Sequence, residues 1–304
     1  MNLIRPTPEQ LTLLRKLNNE NTSTNLHDLD SIKLWLQQEP HLPDTFDART
    51  LLNFLRRSKF SLEQTKKRLD TYFTVKNAFP EFFTKRDITL PELQRIYEIW
   101  SFAVLPILTP QGRRVTVVMY RGRNFQMEDT VNFCKIVLMM TDIRAQEEEG
   151  VHDILVVDAA PVQLKNLGNV SLVAVKRFLF CALEGLPVRV KEFHVINASP
   201  LVGLVVKWAS RFVKDKVIRR VQIHDSLESL HECLPKKFLP EEIGGTAGKL
   251  EDFMQQCWVT LEEHVEWFKE QEKFKSDESK RVGKEAPCGS NFGPEGSFRQ
   301  LSID

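Results

Sequence analysis

What this chain most plainly lacks is a catalytic signature. It has no Gly-x-Ser-x-Gly elbow, no His-Glu-x-x-His pair and no P-loop, so three familiar ways of activating a serine, a metal-bound water or a nucleotide are absent. The cluster Gly244-Gly-Thr-Ala-Gly248 lacks the spacing and following lysine of a phosphate cradle. Cysteine is sparse. Cys134, Cys181, Cys233, Cys257 and Cys288 are odd in number and widely spaced, with no Cys-x-x-Cys pair, which reads as buried free thiols and not as disulfides or zinc ligands. The formal net charge is only +1, which argues against a nucleic-acid binder whose affinity comes from bulk positive charge. Any anionic partner has to be met by a local patch. The first residues contain no apolar signal core, and no run reaches transmembrane length, so the expectation is a soluble intracellular protein whose membrane contact is peripheral. No internal repeat is visible.

Two kinds of organisation are present. From about Pro8 to Phe83 the pattern is helical. Asp28 is a candidate cap for the helix carrying Leu29, Ile32 and Leu36, and Asp47 for the helix carrying Leu51, Phe54 and Leu55. Ser61-Leu-Glu-Gln64 reads as a capping box for the helix through Leu69, Tyr72 and Phe73. From Trp100 onward, strands alternate with helices. Trp100 to Leu108 and Val115 to Tyr120 form a hairpin around Thr-Pro-Gln-Gly-Arg. Helix 131–145, strand 153–158, helix 172–183, strand 188–196 and strand 221–224 follow. That order predicts an α/β fold with a mainly parallel sheet covered by helices. A long amphipathic helix is expected over 250–274, with Phe253, Cys257, Trp258, Leu261, Val265 and Phe268 on one side. From Ser276 the composition is that of a disordered tail, although Phe292, Phe298, Leu301 and Ile303 are apolar enough to anchor it back onto the body.

The polar residues inside strands have two readings each. Asp158, at a strand end, is either a catalytic acid or a carboxylate organising a loop; without an apparent partner the second is favoured. His194 and His224 lie in strand-like apolar sequence and read as hydrogen-bonded structural histidines, because one lone histidine makes no metal site.

The most informative stretch is Pro200-Leu-Val-Gly-Leu-Val-Val-Lys-Trp-Ala. Leu201, Val202, Leu204, Val205, Val206, Trp208, Phe212 and Val213 leave only a narrow polar strip of Lys207, Ser210, Arg211 and Lys214. Alternation through Arg189, Lys191 and Phe193 puts two cations and an aromatic on one strand face before it, and Lys214-Asp-Lys216-Val-Ile-Arg219-Arg220 follows it. Such a helix is either core with a solvated end, or an apolar element flanked by cations that meets an anionic bilayer.

Phe54-Leu-Arg-Arg-Ser-Lys-Phe60 resembles the signature of the small helical domain that precedes a CRAL-TRIO domain. Phe193-His-Val-Ile-Asn197, the apolar helix, Val221-Gln-Ile-His224 and Leu239-Pro-Glu-Glu-Ile-Gly-Gly245 follow in that family's order and spacing. The similarity covers roughly residues 46–248 and is closest to the branch of tocopherol and retinaldehyde carriers. The tail from Glu295 resembles others of this branch. The resemblance implies a helical N-terminal domain over 1–83, a CRAL-TRIO lipid-binding domain over 84–248, and a C-terminal helix and tail over 249–304. It implies a pocket for one hydrophobic small molecule (a tocopherol, retinoid, carotenoid or other terpenoid-like lipid). That pocket would be lined by Cys134, Val137, Thr141, Val157, Phe178, Cys181, Ala182, Leu186, Val188 and Phe193. Leu201, Leu204, Val205, Trp208 and Phe212 would form a gate. Arg189, Lys191, Lys216 and Arg220 would bind phosphatidylinositol bisphosphate, with Arg219 beside them. This chain departs from the family at Ser58, where a signature arginine is expected; Arg57 and Lys59 flank it. Thr141 either hydrogen-bonds a ligand hydroxyl or bonds back to its own helix carbonyl.

The expectation is a non-enzymatic cytoplasmic carrier, monomeric and without cofactor or metal. It would exchange one lipid at phosphoinositide-containing membranes with transient peripheral association, and bind no nucleic acid. The rival from another class is a signalling or trafficking adaptor recruited by lipid.

Overall fold

The computed structural model describes residues 2–160, 168–198, 200–283 and 285–287. Helix α1 (Pro8–Asn18) is followed by α2 (Asn25–Gln38), α3 (Ala48–Arg57), α4 (Leu62–Ala78), α5 (Pro80–Phe83) and α6 (Pro91–Ile99). Asp47 caps α3 by accepting from the Thr50 amide at 2.7 Å, and Ser61 caps α4 by accepting from the Gln64 amide at 3.4 Å. Helix α2 begins a turn earlier than expected, with Thr24 at its cap. An Asn21 side chain that accepts from the Ser23 amide at 3.1 Å bends the chain there, leaving Asp28 in the first turn, where its charge complements the helix dipole.

Strands β1 (Trp100–Leu108) and β2 (Arg113–Tyr120) pair antiparallel. Their turn needs glycine, because Gly112 has φ +68° and a Cβ there would crowd Leu14 of α1. Then come α7 (Met127–Glu147), β3 (His152–Asp158), α8 (Leu172–Phe180), β4 (Val190–Ile196), α9 (Pro200–Ala209), α10 (Asp215–Ile218), β5 (Val221–His224) and α11 (Leu227–Cys233). The sheet order is β1-β2-β3-β4-β5, with every pair from β2 to β5 parallel. Strands that add in sequence order through right-handed crossovers put α7, α8 and α9 over one face. The expected α/β architecture is present, behind the helical region.

Other boundaries also differ from the sequence expectation. The helix expected over 172–183 stops at Phe180 and passes into a π turn, Cys181–Gly185, closed by Leu186 N–H donating to the Cys181 carbonyl at 2.9 Å. The apolar helix ends at Ala209, where the Ser210 hydroxyl donates to the Lys207 carbonyl at 2.8 Å and Val213 turns back into the protein. The C-terminal helix is two, α12 (Leu250–Glu263) and α13 (Val265–Gln271), because His264 leaves helical geometry. Its ring bonds the Thr260 carbonyl at 2.7 Å, and the turn lets Phe268 bury completely against Arg86.

A further difference concerns the start of the tail. Ser276 N–H donates to the Phe73 carbonyl (3.0 Å), Asp277 N–H donates to the His41 carbonyl (2.8 Å), and Arg281 chelates Asp70 at 2.7 and 3.0 Å. The chain from 276 to 281 is thus fastened to α4 by polar contacts. The apolar anchors Phe292, Phe298, Leu301 and Ile303, with Cys288, lie outside the described residues.

Burial separates two cores. One combines the sheet with α6, α12 and one side of α7 through Ile136, Met139, Met140 and Ile143. The other joins α2, α3 and α4 to Cys134 and Leu138 of α7, and to Ala174, Cys181 and Leu186. Between the two cores runs a seam.

Candidate functional site: an apolar seam beside a cation cluster

Alternation along β3 shows how the seam is built. Ile154 and Val156 point to one face and are sealed, whereas Leu155 and Val157 point to the other and are only half-buried. Register extends the second face sideways: Thr116, Leu155, Phe193 and Val221 form one row, and Val118, Val157, Val195 and Ile223 the next. This apolar floor is closed at β2 and opens toward β5, where Phe193 and Val221 are half-buried and Ile223 is 49% exposed.

The residues expected to line a pocket distribute along this seam. Val137 and Val157 are half-buried against the sheet core. Phe178 and Val188 are half-buried against the helical core, and Ala182 and Phe193 are also half-buried. Cys134, Cys181 and Leu186 sit deeper, fully buried among Phe54, Leu69 and Tyr72 of the helical core. Burial raises the Cys134 thiol well above its ordinary value, so it serves as a small hydrophobe. The Thr141 hydroxyl donates to the Val137 carbonyl at 2.7 Å, the second of its two readings.

On α9, Leu204 is 60% and Val205 43% exposed, while Val206 and Trp208 are half-buried. Trp208 packs edge-on against Phe212, with ring centroids 4.5 Å apart. The Leu201 side chain lies outside the described residues.

At the N-terminal ends of β4 and β5 the cations gather. Arg189, Lys191 and Arg220 are half-buried there, and Lys216 and Arg219 are exposed on and beside α10. The helical region adds two more. Lys59 and Phe60 both adopt left-handed backbone (φ 55° and 59°), and this turn after Phe54-Leu-Arg-Arg-Ser redirects the chain so that Arg57 and Arg68 both reach the segment leading into β4. Arg57 donates to the Val188 carbonyl, and Arg68 to the carbonyls of Leu183 (2.9 Å) and Leu186 (3.3 Å). Arg220 donates to the Val190 carbonyl at 2.6 Å, and Arg189 to the Asn18 side-chain oxygen at 3.3 Å.

Among the described residues, none of these four arginines has a carboxylate at ion-pair distance. Burial, then the neighbouring guanidiniums of Arg68, Arg189 and Arg220, pull Arg57 down to about 9 against a smaller opposing effect of Glu184. Burial followed by Arg189 and Arg220 pulls Lys191 down to about 8. Burial and the same surrounding charge depress His152 to about 3, so it stays neutral. Buried polar atoms without a partner lie at this site too, the Ser58 hydroxyl and His152 Nδ1. Crowded cations held by backbone oxygens, beside unpartnered polar atoms, are suited to a multivalent anion.

Sequence reasoning marked Arg189, Lys191, Arg220 and the flanking Arg57, but missed Arg68, Asn18 and His152. No local spacing links these; only the left-handed turn and the docking of α1 bring them together. The remaining polar candidates are structural. His194 Nδ1 and His224 Nε2 are 2.8 Å apart, braced by Glu192 and Ser229. Asp158 organises its loop by accepting from the Ala160 amide at 2.9 Å and the Asn197 side chain at 3.0 Å. No group of three or more potential metal ligands occurs among the described residues, and no described helix is long and apolar enough to cross a membrane.

Comparison with known proteins follows the same division. The CRAL/TRIO domain profile matches residues 101–245, and the profile of the Pinta-like UBA domain matches 21–93. The chain is 28% identical over 251 residues to alpha-tocopherol transfer protein-like of Homo sapiens, covering 81% of this chain and 72% of that one. It is 24% identical over 248 residues to clavesin-1 of Xenopus laevis, covering 79% and 73% respectively. Among solved structures, Sfh5 is similar at a TM-score of 0.45 and 12% identity, over 82% of this chain and 92% of that one.

Proposed function

This chain belongs to the CRAL/TRIO domain family, and from that premise we propose that it is a carrier. It holds one hydrophobic small molecule, of the tocopherol, retinoid, carotenoid or other terpenoid-like class, in the seam between its two cores. It exchanges that molecule at phosphoinositide-containing membranes. The observation that supports this most directly is the half-open apolar floor of Leu155, Val157, Phe193 and Val221 next to a cluster of arginines without a carboxylate at ion-pair distance. An apolar surface left accessible between two sealed cores suits a small apolar guest. In this reading residues 1–83 form the helical domain, 84–248 the lipid-binding domain, and 249–304 the C-terminal helices and tail. The protein works as a non-enzymatic cytoplasmic monomer, α9 is the gate, and its exposed Leu204 and Val205 meet the bilayer while the cations meet phosphate.

Mass spectrometry of lipid extracted from the purified protein is expected to yield one predominant terpenoid-like molecule. An Ala182→Trp protein that folds normally is expected to lose that cargo, because the indole fills the seam; undiminished uptake would place the cargo elsewhere. Changing Leu204 and Trp208 to Asp is expected to slow transfer of a fluorescent tocopherol between vesicles far more than it weakens binding in solution. Equal losses in the two assays would make α9 ordinary core.

A further inference from the structure

Segment 181–188 is held from two directions. On one side the helical region grips its carbonyls, Arg57 at Val188 and Arg68 at Leu183 and Leu186. On the other, its Glu184 accepts from Lys214 Nζ at 2.7 Å, and Lys214 lies between α9 and α10, at the end of the proposed gate. The same segment carries Ala182 and Val188 of the seam, and Cys181 and Leu186 of the helical core behind it. Its backbone is a π turn and not a continued α-helix, a geometry that commonly marks functional positions. Gly185 brings it against the backbone of α4, with room for no more than ordinary contact at Tyr72 and Val75. Glu184 is also the acid whose field favours the charged forms of Arg57 and Arg68.

We infer that segment 181–188 is a joint between the cation cluster and the gate, with Arg57, Arg68 and Glu184 as its positioning residues. A polyphosphate seated among Arg57, Arg68, Arg189, Lys191 and Arg220 takes the first two guanidiniums from the carbonyls of 183, 186 and 188. Its negative charge also draws Lys214 from Glu184, so that the seam wall and the gate end loosen together.

The energetics favour this exchange. A guanidinium meets phosphate as an opposite charge, often through two parallel N–H···O bonds, whereas a neutral carbonyl offers it only a dipole. The Lys214–Glu184 pair, with Lys214 74% exposed, is of the weak surface kind that trades partners readily. An anion that binds better when the guanidiniums are free must shift the population toward the loosened joint. The inference rests on the carrier reading for its gate and goes beyond it in naming the connection. The ligand chemistry is that of an inositol polyphosphate, either free or as a lipid headgroup.

Amide hydrogen exchange on the full chain tests it without reference to cargo. The probes are soluble inositol trisphosphate, phosphatidylcholine vesicles containing phosphatidylinositol bisphosphate, and phosphatidylserine vesicles of equal total charge, with binding of each measured separately by equilibrium dialysis or co-sedimentation. Peptides covering 181–188 and 202–214 are expected to exchange together about tenfold faster with either inositol probe, the size of one lost hydrogen bond, and to be unmoved by phosphatidylserine. A response to the vesicles alone would still support the joint and assign the anion to a lipid headgroup; a response to the soluble probe as well would show that the bilayer is not required.

In Glu184→Gln the 202–214 peptide is expected to exchange fast before any anion is added. Replacing Arg57 and Arg68 by Lys is expected to preserve anion binding while abolishing the anion-dependent change at 181–188, an outcome that simple loosening of the fold would not give. If polyphosphate binds the unaltered protein and protection at 181–188 stays the same or rises, the joint is wrong and the carrier reading stands. If no polyphosphate binds at all, the joint and the phosphoinositide half of that reading fall together.

Discussion

Two arginine clusters meet at the start of β3, and they are built on opposite principles. In the first, Arg114 bonds Glu148 at 2.6 Å, Arg144 bonds Glu148 at 2.5 Å, and Arg144 bonds Asp153 at 2.7 Å. Two cations face two carboxylates, all at most 12% exposed at their side chains. Burial pushes Glu148 upward, yet Arg144 and Arg114 outweigh it and hold the carboxyl below its ordinary value. In the second cluster, Arg57, Arg68, Arg189 and Arg220 have backbone or amide oxygens at hydrogen-bond distance instead of carboxylates, and burial followed by neighbouring guanidiniums depresses Arg57 and Arg189. The clusters share a boundary, since Asp153 N–H donates to the Arg189 carbonyl at 3.0 Å. The same side chain thus serves structure where acids neutralise it and binding where only dipoles hold it. Carbonyls orient a guanidinium without cancelling its charge, and the attraction left over is available to a ligand.

The comparison breaks most visibly in the neutralised cluster. Arg144→Met strands Asp153 as a buried charge, leaves Glu148 to Arg114 alone, and is expected to cost about 3–5 kcal/mol of stability. The measurement is the urea midpoint with an unchanged slope, and a variant as stable as its parent would mean that the quartet is solvated. In the open cluster, Arg189→Gln with Arg220→Gln is expected to leave stability within about 1 kcal/mol while removing about 2 kcal/mol of surface attraction, roughly a 30-fold loss in co-sedimentation with phosphatidylinositol bisphosphate vesicles. Should the preference for that lipid survive, the headgroup is held elsewhere.

The smallest effect is a pH dependence. Lys191, held at about 8, is charged below that value and loses its charge as pH rises through it. Binding of phosphatidylinositol bisphosphate vesicles is therefore expected to weaken about fivefold above pH 8, the contribution of one cation near an anionic surface. Folding stability moves the opposite way. Between about 8 and the ordinary lysine range the unfolded chain binds the extra proton, so the Lys191 contribution to stability rises with pH. Lys191→Arg is expected to flatten both curves; a pH dependence that survives it belongs to another group.

Much of the fold was legible in the sequence, because strand alternation and helix caps are written in adjacent residues. Asp47 caps as its spacing indicates, Ser61 forms one half of its expected box while its own N–H donates to the Ser58 carbonyl at 3.2 Å, and the order of strands and helices from Trp100 gives the sheet its topology. The misread boundaries share a cause. At Ser210 and His264 a side chain bonds a backbone carbonyl and competes with the helix, and at Cys181 a π turn replaces an α turn while the apolar pattern runs on. At the site, the apolar lining and the sheet cations could be named from their residues. Arg68 could not, since no spacing connects a helix surface arginine to the carbonyls of Leu183 and Leu186.

The alternating direction of side chains along β3, the apolar circumference of α9 and the density of cations around it are already present in the sequence. These follow from covalent geometry, which fixes where successive side chains point. Only the tertiary structure decided which arginines are neutralised and which are not. Arg144 of α7 finds Asp153 of β3, and Arg57, Arg68, Arg189 and Arg220 come together where the helical region packs on the segment that leads into β4. A charge takes its role from partners brought near in space, and those partners are remote in the chain.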